Sequence, residues 1–491
     1  MKKIFAIILI LAMLIPFVVA CDSGDETTTT TTTEIIDYDK FTSKNTVKKD
    51  WGGETLLVAA TAWVGSPGYP WSTMELAIEE GKTSGWGEKI DKAVLERTAY
   101  IKATYGVDVI WEHSSRYNTH DVLKNAIAAG NEPDYDLAMP RNFRAQAIVA
   151  NGSVYDMANR PYINFNNSYY NQDSVKTYTA KGHTFFIVGD FSNLDKETAF
   201  VLYFNKSLLG GEEATEELYQ LVRDGKWTWD KLVTYASAAF KDDGDGLLGN
   251  NDTYGLYITI LAKFYEYFGV KQAGVDESTG EWEITLNDPK ANDVVAAIIE
   301  TNTSKWARKA GGGLVNSYPE TITNPRYGVV EGTILFHNEI IQTISRFSSE
   351  NVGVVPFPML NEGQGRYYVP CGHQQSTLMC VPKTSSDRNM SDYFVDVLAW
   401  TGREYTMKAY YENMREQLYS DTDLEMIKDY IMPNIYYDAG NAVGWGSLMG
   451  EVIGASYDGN ENNFDAAYAK QEAKALQMIK DWNEAWGSYT E

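Results

Sequence analysis

The feature that most constrains this chain is an alternation of short apolar runs with helical segments. "GETLLVAATAW" (53–63) and "VDVIWEH" (107–113) are apolar runs, and "EKIDKAVLERTAYIKATYG" between them carries apolar residues at helical spacing and stops at Gly106. "HDVLKNAIAAGNEPDYDLAMP" repeats the unit, with a helix, Gly130, a turn and a strand over 135–140. Strands that alternate with helices of this length predict parallel sheets covered by helices on both faces. The pattern predicts further strands at 183–190, 198–206, 253–260, 333–340 and 352–359, separated by helical stretches, and a helical tail from Ser391 in which no strand is visible.

Before this body come Lys2, Lys3, an apolar stretch from Ile4 to Ala20, then Cys21 and seven consecutive threonines. The basic start and short apolar run read as a secretory signal, too short for the ~20 residues of a spanning helix. Val18-Val19-Ala20 before Cys21 resembles the lipobox of bacterial lipoproteins, which implies cleavage before Cys21 and lipid attachment to it; the alternative is an ordinary cleaved signal. Residues 22–34 hold almost nothing to bury and read as a tether. The division expected is a signal over 1–20 and a lipidated cysteine with tether over 21–50.

From Trp51 about 440 residues remain, more than one core holds and enough for two domains. No internal repeat and no Pro- or Ser-rich linker separates them, which points to domains interleaved in sequence. Acidic residues outnumber basic ones 67 to 42, and loss of Lys2 and Lys3 with the signal moves the formal charge from −25 to −27. Such a field disfavours nucleic acid, anionic lipid head groups and polyanionic substrates. Aromatic residues make up 13% of the chain; most belong in a core, yet a surplus of Trp and Tyr also suits a cleft that stacks sugars.

Several quoted stretches, in this order, resemble landmarks of one family. "GDFSN", "VLYFNKSLL", "ELYQLVRDGKWTWDKL", "DGDG" and "DTYGL" are followed by "VVEGTILF", "VGVVPFPMLNEGQGRYYVP", "VPKTSSD" and "MIKDYIMPNIYYDAGNAVGWG". The series resembles the extracellular solute-binding proteins of bacterial ABC importers, in their large, carbohydrate-type, maltose-binding-protein-like class. The resemblance implies an α/β, two-lobed, periplasmic-binding-protein-like (type II) fold with an interlobe ligand cleft and crossing hinge strands. It also implies a carbohydrate ligand, an ABC transporter permease as partner, an extracytoplasmic place at the membrane, a monomer and no cofactor. By the family's chain order the lobes are 51–203 plus 362–400 and 204–361 plus 401–491, with crossings near Tyr203–Asn205, Pro358–Glu362 and Thr401.

In open α/β sheets a ligand lies beyond the carboxyl ends of the strands. That rule selects Trp63, Tyr69 and Trp71 after the first strand, Arg141 and Asn142 after the third, and Thr259, Phe264, His337 and Asn338 in the second lobe. Trp445, Gly-flanked in "NAVGWGS", joins them because a late Trp in this family often stacks on the solute. A pyranose offers an apolar face to aromatic rings and hydroxyls to amides, carboxylates and guanidinium, so a cleft with both kinds of group selects sugars. Trp227 and Trp229 in "GKWTWDKL" read instead as pinning a helix, with Thr228 as its N-cap.

Cys371 and Cys380 flank "GHQQSTLM" and are read either as a cross-strand disulfide or as two small buried thiols. "KDDGDGLLGNND" offers Asp243, Asp245 and Asp252 to a calcium template but puts Lys241 where the first carboxylate belongs, which favours an acidic surface turn. A glycoside hydrolase needs two carboxylates beside a sugar cleft, and among 67 acidic residues such pairs say nothing. No HExxH, GxSxG or GxxxxGK[ST] occurs, and the histidines at 113, 120, 183, 337 and 373 have no ligand spacing. The expectation is therefore a binding protein and not an enzyme, with a hydrolase, a binder of a non-sugar solute and an adhesion protein as the alternatives.

Overall fold

The computed structural model describes residues 49–489, apart from 62–75, 79–82, 84–86, 115–118, 151, 250, 259, 310–328, 330, 348, 373–375 and 443–445. Strands β1 (Glu54–Thr61), β2 (Val107–Ser114) and β3 (Leu137–Met139) form a parallel sheet in the order β2-β1-β3. Helices α1 (Glu88–Tyr105) and α2 (Thr119–Ala128) connect them, as the periodicity predicted. Alternation along β1 divides its side chains between two cores: Leu56 and Val58 share one with Ile101, Phe394 and Leu398, while Ala59 shares the other with Ile90, Val94 and Leu123. Gly106 ends α1 in the left-handed region at φ 65°, its N–H on the Lys102 carbonyl.

The second sheet contains β4 (Phe200–Asn205), β5 (Tyr254–Ile258), β6 (Ala307–Lys309), β7 (Ile334–Ile340) and β8 (Val352–Val355), in the order β6-β5-β7-β4-β8. β6 and β7 run parallel to β5, whereas β4 runs antiparallel to both β7 and β8. The carboxyl ends of β5, β6, β7 and β8 therefore share one edge, where β4 begins. Helices α3 (Trp229–Ala239) and α4 (Lys290–Thr303) belong to this half. Trp227 is fully buried with its Nε1 donating to the Pro356 carbonyl at 3.0 Å, and Trp229 donates to Glu300 Oε2 at 2.8 Å. Both are pins of α3, as expected; Thr228 holds the N-cap position, although its side chain makes no capping bond.

Other expectations need adjusting. Residues 183–190 do not form one ladder: a two-residue strand at His183–Thr184 is followed by single bridges from Ile187 to Met379 and from Gly189 to Tyr170. All of β4 lies in the second sheet, so the chain has changed sheets before Phe200 and not at Tyr203–Asn205. The chain returns to the first sheet by way of Ala138↔Cys380 and Ile187↔Met379, which extend that sheet beyond β3. Near Thr401 the helix α5 (Arg388–Thr401) passes through a π-helical turn, Gly402–Thr406, into α6 (Met407–Gln417). Glu416 of α6 still reaches back to Lys89 of α1 at 2.6 Å. The tail does contain a strand, Ile435–Tyr436, paired with Val369–Pro370. It ends in α7 (Phe464–Gly487), whose Trp486 ring lies 5.3 Å from Trp282 of the 273–284 hairpin and 4.8 Å from Phe185. Among the described residues no helix is long and apolar enough to cross a membrane.

Candidate functional site

The carboxyl end of β3 and the common edge of the second sheet are joined by backbone hydrogen bonds. Leu378 N donates to Pro140 O at 3.0 Å, and Asn142 N donates to Ser376 O at 3.1 Å. Ser376 N donates to Gly372 O at 2.7 Å, Gly372 N to Thr198 O at 3.0 Å, and Ile341 N to Ala199 O at 2.9 Å. Thr198 and Ala199 lead into β4, and Ile341 follows β7. This run is a floor between the two sheets, at the place where α/β proteins present loops to a ligand.

Polar side chains converge on the floor from several elements. Asn142 is buried, and its Oδ1 accepts the Tyr178 hydroxyl at 3.3 Å. The Tyr178 ring lies 6.0 Å from that of Tyr437, whose hydroxyl donates to Asp195 Oδ2 at 3.1 Å. Lys263, just beyond β5, bonds both oxygens of Glu266 at 2.6 and 2.7 Å and sits over the Phe200 ring. Thr377 Oγ1 and Gln342 Oε1 are buried and have no hydrogen-bond partner among the described residues. Thr377 is 3% exposed and Gln342 stands in the turn directly after β7. A buried oxygen left without a partner costs about 1–3 kcal/mol, and a bound solute could recover that cost.

Of the residues selected from the sequence, Arg141 and Asn142 reach the floor, with Arg141 bridged to Thr377. His337 and Asn338 do not. β7 runs on to Ile340, so both lie inside the sheet: the His337 ring packs 4.8 Å from Tyr257, and Asn338 bonds the Tyr267 hydroxyl and the Val201 carbonyl. Phe264 is fully buried against Trp229, Phe268 and Phe357 and is a core residue. Cys21, Trp63, Tyr69, Trp71, Thr259 and Trp445 lie outside the described residues. The sequence reading passed over Tyr178, Asp195, Lys263, Gln342, Ser376, Thr377 and Tyr437; the one available signal was "HQQST" between the two cysteines, a cluster of neutral hydrogen-bonding groups.

The cysteines are free buried thiols and not a disulfide. Cys371 bridges to Ala199 on the floor, while Cys380 bridges to Ala138 beside β3. Burial, with a smaller push from Asp195, raises the Cys371 thiol to about 12. In the acidic turn it is Asp242, Asp243 and Asp252 whose carboxylate oxygens come within 4.8 Å of one another, and Asp245 is not in that group. Asp252 already accepts the N–H groups of Asp243 and Gly249 and the Tyr254 hydroxyl, and Asp242 accepts those of Gly244 and Gly246. The turn precedes β5 and so lies at the far end of that strand from the floor.

The family model for bacterial extracellular solute-binding proteins matches residues 97–415. The chain belongs to that family. No curated protein sequence matches this solute-binding protein. Among solved structures it is similar to MalE, a sugar-binding protein from Xanthomonas citri, at 12% identity, over 89% of this chain and 100% of that one, with a TM-score of 0.55. A cyclo/maltodextrin-binding protein complexed with maltotetraose matches at 14% identity, over 87% of this chain and 96% of that one, with a TM-score of 0.52. The GacH receptor of Streptomyces glaucescens matches at 16% identity, over 87% and 99%, with a TM-score of 0.50. The fold is the two-lobed, periplasmic-binding-protein-like one that the sequence implied.

Proposed function

We propose that this solute-binding protein is an extracytoplasmic receptor for a carbohydrate, held to the membrane by lipid on Cys21, which captures its ligand over the floor and passes it to an ABC-type permease without altering it. The observation that carries the reading is the set of buried hydrogen-bonding groups that converge on the floor. Lys263 is paired with Glu266 and Asp195 with Lys196, the buried oxygens of Ser376, Thr377 and Gln342 are neutral, and the buried guanidinium of Arg141 lies on the same floor. Neutral hydroxyl and amide oxygens beside a buried guanidinium match the hydroxyls of a polyhydroxylated solute. The sugar-binding proteins of the same fold agree with this reading. We assign the first lobe to residues 51–199 with 371–417, since α6 stays against α1, and the second to 200–370 with 418–491.

A thermal-shift screen of residues 35–491 against mono- and oligosaccharides tests it. A ligand at 100 times its Kd adds ~2.7 kcal/mol to the folded state. A shift with one sugar family, the sugar being recovered intact, supports a receptor. A cooperatively melting protein that no saccharide stabilises overturns the carbohydrate reading, and a cleaved sugar overturns the non-catalytic one.

A further inference from the structure

Behind the floor the crossings are tied by a chain of buried charges. Arg403 stands in the π-helical turn after α5, a rare local geometry that is frequent at functional places. Its guanidinium pairs with the Asp190 carboxylate and donates to Ser168 O at 2.9 Å. Asp190 Oδ1 lies 3.2 Å from Lys196 Nζ, which in turn bonds Asp195 Oδ1 and Oδ2 at 3.1 and 3.2 Å. Asp190, Asp195 and Arg403 are 4%, 3% and 7% exposed. Burial opposes the charge on Lys196, but the two carboxylates outweigh it and hold its ammonium above its ordinary range.

The chain ends at the solute site. Asp195 Oδ2 accepts the Tyr437 hydroxyl, and Tyr437 is anchored again where its N–H donates to Asp173 Oδ2 at 2.8 Å. Its ring packs on Tyr178, which bonds Asn142. Buried ion pairs contribute little net stability, while breaking one is costly; their best-attested use is to specify a geometry. We propose that Arg403 is a positioning residue of the solute site: through Asp190, Lys196 and Asp195 it fixes Tyr437, and behind it Tyr178 and Asn142, in the arrangement that receives the solute. The inference rests on the floor being the solute site. Without the guanidinium, Asp190 competes for Lys196, and Asp195 loses the partner that orients it toward Tyr437.

The test compares the full chain with Arg403→Gln, Arg403→Lys, Tyr437→Phe and the double variant R403Q/Y437F. In hydrogen–deuterium exchange without ligand, R403Q is expected to speed exchange at least ~10-fold in peptides covering 140–145 and 434–442 and to leave α4 unchanged, while R403K restores most of the protection. With a sugar from the screen, R403Q and Y437F each weaken binding about 10-fold and the double variant no further, the non-additivity of one network. Exchange that rises equally in α4, or not at all in the two named peptides, overturns the proposal, as do losses that multiply in the double variant. If R403Q does not fold, R403K against Y437F decides by the same two readouts. If no saccharide binds the parent chain, the carbohydrate reading fails on its own, and the exchange result still decides the role of Arg403.

Discussion

Gly402 offers the sharpest test of how the crossings fit together. It opens the π-helical turn with φ −58°, a conformation any residue adopts, so its lack of a side chain serves space and not backbone freedom. A Cβ added there would lie 1.9 Å from the Asp190 carbonyl oxygen and 2.6 Å from its carbon, both backbone atoms. Relief requires the two crossings to part by more than ~1 Å, and overpacking of this kind costs about 1–3 kcal/mol. The better helix propensity of alanine returns ~0.5–1 kcal/mol, which leaves Gly402→Ala destabilising by about 1 kcal/mol. Gly454 in the helix Gly446–Ser456 is the control, since a Cβ there meets nothing within 4 Å. Gly454→Ala is expected to stabilise by ~0.5–1 kcal/mol. Urea unfolding followed by tryptophan fluorescence measures both, with slopes unchanged if only stability has moved. Two variants within ~0.5 kcal/mol of each other would refute the close approach, and a G402A that weakens solute binding without loss of stability would refute the steric account.

Other outcomes follow from single groups. Thr377→Val removes a buried hydroxyl that has no partner among the described residues, so the unliganded protein should be unchanged or ~1 kcal/mol more stable while affinity for the sugar falls at least ~10-fold; calorimetry and unfolding together check both halves. Asp136, buried and accepting the Leu57 N–H at 2.9 Å, has its carboxyl pushed up from 3.8 to about 6, first by burial. Because the folded value is the higher one, its contribution is fully present below pH ~4 and is lost as pH rises through ~6, a change of about 3 kcal/mol that Asp136→Asn should flatten in stability–pH curves. With its thiol raised to about 12, Cys371 should be inert to Ellman's reagent at pH 8 in the native protein and react only on unfolding; rapid native labelling would contradict its burial.

Much of the fold was legible because its determinants are local. The run from Glu54 to Thr61 is apolar enough to be read as a buried strand, and Gly106 stops α1 where the sequence places the stop. Arg141 and Asn142 do follow β3 directly, so the strand-end rule placed them in the fold where the structure has them. The same rule failed at His337 and Asn338 because polar residues inside a strand look like its end. Asn338 is tolerated there only because Tyr267 and Val201 satisfy its amide, and those partners are 71 and 137 residues away in sequence. Phe264 failed in the other direction: an aromatic six residues past β5 returns to the core once the short helix Lys263–Tyr267 turns it inward.

The groups that escaped the sequence are those whose meaning arises only from pairing. Arg403 and Asp190 are 213 residues apart, and neither carries a local mark that separates it from the other charges of an acidic chain. Yet the pairing decides what the site can receive. Were Asp195 and Glu266 unaccompanied, the floor would hold one buried and one half-buried carboxylate with uncompensated charge. Lys196 and Lys263, one and three residues from their partners in "NLDKE" and "AKFYE", cancel that charge locally, and Arg403 cancels Asp190 from a distance. On the proposed reading, what then faces the solute is a set of neutral hydrogen-bonding groups together with the Arg141 guanidinium. If the floor is the solute site, as proposed, discrimination comes from the placement of Thr377, Gln342 and Asn142, because a site built to hydrogen-bond hydroxyls rejects a solute that leaves those groups unpaired.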